Sequence, residues 1–363
     1  DTPAGTFPVA EFPGPVIVCA RTGFAPVRGA RPVYPLPVEK LRAVERRRLW
    51  NDVLPEMGAQ SAVLAARFAL EPRLAAEVAL DVKTRARITK QAERLDDVAD
   101  SVRVRSAVPL ASGVTLVRPR ATWDNLVLRP QRLDQLREAV ARLDGHARVL
   151  DRWKFLEGRP GARGVRMLFV GPPGTGKTLS AEVIAAALGR DLLVADVSRL
   201  ISKWIGDTPK NLARVFDMAE RSTSVILFDE ADALFGKRTE VSDAHDRYAN
   251  LETAYLLSRL ERFDGLAILA TNLRQNIDVA FLRRLEFIVD FEEPGAVERE
   301  RLWATHIPDR RLLAKGVNLE ELAAAYPVTG ALIRNAAVAA AFLAASDHSL
   351  ITRRHLPGAV RRE

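Results

Sequence analysis

Residues 166–178 read RMLFVGPPGTGKT. An apolar run ends at Val170, three glycines follow at 171, 174 and 176, and TLSAEVIAAALG (178–189) continues with helical spacing. Glycine lets the backbone turn tightly, so that successive amides point inward at a phosphate chain while the helix N-terminus adds its positive end. Within that loop Gly171, Pro172, Pro173, Gly174, Thr175, Gly176 and Leu179 are candidate binding positions. Lys177 supplies a mobile charge for the β- and γ-phosphates, and Thr178 offers a hydroxyl to Mg²⁺. Strand, loop and helix stand in the order that a nucleotide-binding loop requires.

Working outward, LLVADV (192–197), VILFDE (225–230) and LAILATN (266–272) are further continuous apolar runs alternating with helical stretches. Such runs are expected of strands buried on both faces of a parallel sheet. VILFDE ends in two acids, which puts Asp229 near a metal ion held with Thr178. Glu230 is then placed to orient and polarise an attacking water, a task that hydrolysis needs and binding does not. The plainer reading is an acidic helix start, with Glu230 and Asp232 favouring a helix dipole.

The chain of 363 residues has room for two or three domains. Its single cysteine, Cys19, cannot form an internal disulfide, which points to a reducing, cytoplasmic setting. No run approaches the roughly 18 apolar residues of a membrane span. Asp1 stands where an initiating Met would, so the numbering is expected to begin inside a longer polypeptide. The net charge of +8 invites a nucleic-acid reading. Arginines interleaved with acids, as in ARITKQAERLDD (86–97), argue instead for solvated helix faces.

With these residues in place, 122–345 resembles the AAA family of ATPases, within the AAA+ group. GPPGTGKT (171–178) is similar to the Walker A loop, LFDEADALFGKR (227–238) to Walker B and its extension, and LATNLRQNIDVAFLRR (269–284) to the second region of homology. WDNLVL (123–128) looks like the segment that cups the adenine, with Val127 and Leu128 against the base. GALIRN (330–335) resembles the start of the lid, with Gly330 and Ala331 beside the nucleotide; Arg334 is not assigned as a second sensor. The resemblance implies ATP and Mg²⁺ as ligands and a homo-oligomeric ring, taken as a hexamer, with ATP between subunits. It makes Asn272 the polar sensor and Arg284 the arginine finger, with Arg283 as its understudy. SKWIG (202–206) is similar to a pore loop, where Lys203, Trp204 and Ile205 grip an extended polypeptide. Two positions depart from the family: Phe287 stands where relatives often carry a second arginine, and Leu128 where they often have glycine.

The chain also repeats itself. AVERRRLW (43–50) and AVERERLW (296–303) agree at seven of eight positions. The offset between them places Arg31 on Arg284 and Val38 on Phe291, and with a small shift LAARFALEPRLAAEVA (64–79) lies on LAAAYPVTGALIRNAA (322–337). Residues 1–105 are therefore expected to be the last strands and lid of a degenerate first AAA module. They lack the Gly-Ala pair, having Pro72 and Arg73, and carry Ala20, Arg21 and Thr22 without an Asn. A linker follows at 106–121, then an α/β core at 122–295, a parallel sheet sandwiched by helices, and a helical lid at 296–363. The function expected is ATP hydrolysis at the interfaces of a ring that remodels protein clients. A DNA-associated motor and an ATP-gated scaffold with weak hydrolysis are the alternatives. HDRYANLETAYLLSRLE (245–261) looks similar to bacterial AAA ATPases of extracellular contractile injection systems.

Overall fold

The computed structural model describes residues 34, 41–105, 113–155, 164–200, 207–234, 254–273 and 279–362. Its centre is a six-stranded sheet in the order β1-β3-β4-β5-β2-β6. The strands are β1 (Val114–Val117), β2 (Val165–Val170), β3 (Leu192–Asp196), β4 (Val225–Asp229), β5 (Leu266–Thr271) and β6 (Phe287–Asp290). All neighbours pair in parallel except β1, which runs antiparallel on β3 with Val114 opposite Ala195. Side chains alternate between faces along a strand, and here both faces are covered. Val165, Met167 and Phe169 of β2 join one core with α5 (Pro130–Asp144) and α6 (Lys177–Ala187). Leu168 and Val170 join the opposite core with α8 (Asp207–Ser222) and α9 (254–262). Short α7 (Val197–Leu200) and α10 (Val279–Leu282) complete the core.

The stretch 106–121 read as a linker contributes β1, so it does not merely connect. Only Val114 of its V-T-L-V run is fully buried and Thr115 and Leu116 are exposed, as suits a short edge strand.

Two small helical units flank the sheet domain in sequence. One holds α1 (Ala43–Val53), α2 (Ser61–Arg67), α3 (Pro72–Thr89) and α4 (Leu95–Arg105); the other holds α11 (Ala296–His306), α12 (Leu319–Ala325), α13 (Gly330–Ser346) and α14 (His355–Val360). Several equivalent positions do equivalent things, although the Trp50 indole N–H donates to the Phe68 carbonyl (3.3 Å) and that of Trp303 has no such bond. Trp50 and Trp303 are each buried at the centre of their unit. Arg46 Nε donates to the carbonyl of Ala65 (3.1 Å), and Arg299 Nε to that of Ala323 (2.7 Å). Buried Ala75, Val78, Ala79 and Val82 on α3 correspond to Ile333, Ala336, Ala337 and Ala340 on α13. The first unit begins α3 with Pro72, suited to a first helical turn whose N–H has no partner. Gly330 opens α13 instead.

Residues Arg42–Glu363 form one compact unit. The first helical unit docks on the corner between α6 and β3. Arg103 Nε reaches both carboxylate oxygens of Asp191 at 2.9 Å, and Arg190 Nη2 donates to the carbonyl of Ala66 (3.3 Å). Gly189, at φ +63°, leaves room for Arg67: a Cβ there would stand 2.7 Å from Arg67 Nη1. Burial pushes the Arg190 guanidinium down to about 10, with Asp144 opposing the shift and Arg67 and Arg46 adding to it.

Candidate functional site

The C-terminal ends of β2, β4 and β5 open on one edge of the sheet, the usual place for a ligand in an α/β fold. Between β2 and α6 the chain turns through Gly171, Gly174 and Gly176, all with positive φ. Gly171 is required by crowding as well, since a Cβ there would lie 2.0 Å from the carbonyl oxygen of Phe291. Gly176, at φ +102°, then starts α6, so that the first turn presents unpaired amides to the cleft.

Lys177 is buried, and its ammonium donates to the carbonyls of Gly171 (2.5 Å) and Pro172 (2.9 Å) and to Asn272 Oδ1 (2.8 Å). Burial lowers its pKa, with the charges of Asp229 and Asp232 working against that shift. Thr178 Oγ1 stands 3.4 Å from Asp229 Oδ2. One hydroxyl and one carboxylate suit Mg²⁺, which keeps several waters and takes further oxygens from substrate phosphates. Among the described residues no group of three or more His, Cys, Asp and Glu could form an all-protein metal cage. Glu230 follows directly, exposed and with φ +53°, its N–H bonded to Asp229 Oδ1 (3.0 Å).

A cleft of about 470 Å³ gathers these groups, within the size range of small-molecule sites. Of the residues expected from sequence, Val127, Leu128, Pro173 to Leu179, Asp229, Glu230, Asn272, Gly330 and Ala331 line it. Gly171 and Pro172 do not. Their part is to hold the lysine from behind through their carbonyls. The second helical unit closes the cleft, with the Ala331 N–H bonded to the Gly174 carbonyl (3.2 Å). Val127 and Leu128 are buried, Leu128 within the core shared with α5 and α6, and Arg129 and Arg132, which follow them, pair with Glu292 beyond β6.

Arg283 and Arg284 lie apart from this cleft on the exposed turn after α10, where Arg284 pairs with Glu261 of α9 at 3.1 Å. Lys203, Trp204 and Ile205 lie outside the described residues, as do Arg31 and residues 245–253 of the injection-system resemblance.

Sequence reading missed His306. It lines the cleft with Glu298 and Leu302, residues one helical turn apart along α11. Burial lowers the His306 pKa, and the charge of Arg334, also in the lining, lowers it further. The spacing of four residues between 298, 302 and 306 was the available signal.

Residues 167–293 match the model of the family described as "ATPase family associated with various cellular activities (AAA)". An AAA family ATPase named y4kL from Sinorhizobium fredii is 37% identical over 131 residues, 36% of this chain and 40% of the relative. The proteasome-activating nucleotidase of Methanocaldococcus jannaschii is 32% identical over 212 residues, 57% of this chain and 48% of the relative. Vacuolar protein sorting-associated protein 4 of Dictyostelium discoideum is 28% identical over 255 residues, 68% of this chain and 56% of the relative. The chain thus spans about half the length of the curated relatives it matches. Sheet order, phosphate loop and family match agree on an AAA ATPase domain over residues 167–293.

Proposed function

We propose that this chain hydrolyses ATP in the cleft at the sheet edge and works as a homo-oligomeric ring, taken as hexameric, that remodels, unfolds or assembles a protein client. The observation that carries the reading is the convergence of Lys177, Thr178, Asp229, Glu230 and Asn272 on one cleft. A binding-only site needs the first three. A carboxylate beside the metal pair and an amide facing the lysine are what water attack on a phosphoryl group requires.

In this reading the loop amides and Lys177 hold the triphosphate, and Thr178 and Asp229 hold Mg²⁺, which would offset charge between the phosphates. Glu230 takes a proton from the attacking water, and Asn272 orients that water or the terminal phosphate. Arg284, with Arg283 beside it, reaches the ATP of the neighbouring subunit, which is why it stands apart from its own cleft. Trp204, flanked by Lys203 and Ile205, grips an extended client in the channel. The first helical unit is the lid of a degenerate first AAA module, a reading supported by the matched Arg46 and Arg299 bonds and the matched buried positions. The reducing setting implied by a lone cysteine fits work in the cytoplasm.

The test is ATP turnover of wild type, Glu230→Gln, Arg284→Ala and Trp204→Ala across protein concentrations. Glu230→Gln is expected to lower kcat by ~10²–10⁴ and Arg284→Ala by ~10³ or more. Specific activity should rise with concentration as rings form, and Trp204→Ala should hydrolyse ATP yet fail on a client. Turnover that is independent of concentration and survives Glu230→Gln would overturn the proposal.

A further inference from the structure

We propose that Asp232 is a positioning residue that holds Asn272 in register with Glu230, an inference that rests on the hydrolase reading above. Asp232 sits in the short 3₁₀ turn Ala231–Leu234 that follows Glu230. Its Oδ1 accepts two hydrogen bonds from the end of β5: one from the Thr271 hydroxyl and one from the Asn272 N–H at 3.0 Å. The Thr271 hydroxyl accepts in turn from the Leu273 N–H at 3.0 Å. All three residues of the β5 exit are therefore tied into one network centred on a single carboxylate oxygen.

The ladder explains why such a tie is needed. Strands β4 and β5 pair through Ile226↔Ala267, Leu227↔Ile268 and Phe228↔Leu269, and the paired register ends there. Beyond it the two chains carry the groups whose relative placement matters most, Glu230 on one and Asn272 on the other. A strand end leaves its next N–H without a ladder partner, and at exposed Asn272, next to buried Thr271, that N–H meets a side-chain acceptor instead of being left to solvent. Asp232 supplies that acceptor from the β4 side. The side chain of Asn272 is thereby aimed at Lys177, whose ammonium it meets at 2.8 Å. A carboxylate accepts more strongly than a neutral oxygen, so the same contact also stiffens the turn that carries Glu230.

A residue that only stabilises the loop would change folding and leave the catalytic step alone. A positioning residue changes kcat through Asn272. The experiment measures kcat and KM for MgATP in wild type, Asp232→Ala, Asp232→Asn, Asn272→Ala and the Asp232→Ala/Asn272→Ala pair, with Glu230→Gln as the reference for lost hydrolysis. Asp232→Ala is expected to lower kcat by about tenfold or more, with KM moving less than about threefold. Asp232→Asn keeps an oxygen for both donors and should stay within about threefold of wild type. The double variant should be within about threefold of Asn272→Ala alone, because the two residues act as one unit. Should Asp232→Ala not fold, Asp232→Ser takes its place, its shorter side chain being unable to span both donors. Full kcat in the Ala or Ser variant, losses that multiply in the double variant, or an Asn variant as slow as Asn272→Ala would each overturn the assignment. Wild type no faster than Glu230→Gln would overturn the hydrolase reading itself, and this inference with it.

Discussion

Replacing Arg103 with Met should loosen the contact between the first helical unit and the sheet domain far more than replacing its partner does. Arg103 Nε binds both oxygens of Asp191 at 2.9 Å, and its Nη1 binds Asp100 at 2.6 Å. The Asp191 side chain is 7% exposed and that of Arg103 is 27% exposed. Removing one partner of a buried pair costs ~3–5 kcal/mol, because the remaining charge keeps its desolvation penalty without compensation. Water that already reaches Arg103 would relieve part of that penalty, so ~2–3 kcal/mol is the expected loss in Arg103→Met. Asp191→Ala leaves an arginine that still has Asp100 and access to solvent, and the cost should be ~1 kcal/mol. Native-state hydrogen exchange across α4 and β3 reads this directly. Protection should fall ~30- to 150-fold in Arg103→Met and several-fold in Asp191→Ala. Equal losses in the two variants would refute the argument, since the asymmetry follows only if Asp191 is the desolvated partner.

Two further outcomes follow from the site. Gly171→Ala should abolish nucleotide binding and lower the urea midpoint sharply, because its Cβ would stand 2.0 Å from the Phe291 carbonyl; isothermal titration with ATP and urea denaturation check both. His306 has a folded pKa below its ordinary 6.5, so the unfolded chain takes up the proton first. Its contribution to stability is complete above pH 6.5 and is lost as pH falls from there toward the folded pKa. His306→Gln should flatten that part of the urea-midpoint profile, and an unchanged slope would show that the imidazole titrates the same way folded and unfolded.

Much of the site was legible because its signals are contiguous. GPPGTGKT carries its glycines, lysine and threonine on one loop, and VILFDE carries a strand and both acids in six residues. Backbone conformation and charge placement of that kind are decided within a single turn of chain. The same holds for the sandwiched sheet, whose apolar runs state that both faces are covered, and for the repeat, where AVERRRLW and AVERERLW form α1 and α11 with a buried Trp in each. The β1 strand escaped because four residues among Pro and Gly read as connection, and its pairing partner lies on β3, about 80 residues away.

The sequence alone states which groups are available: a glycine-rich loop with Lys177 and Thr178, the acids Asp229 and Glu230 closing one apolar run, and Asn272 closing another. How these groups meet depends on the folded chain. It brought His306 into the cleft, set Gly171 and Pro172 behind the lysine, joined Asp232 to Thr271 and Asn272, and docked Arg103 on Asp191. The physical reason is the same in each case. A hydrogen bond or ion pair between residues distant in sequence depends on where packing puts the strand ends and helix corners, and no local pattern records that position.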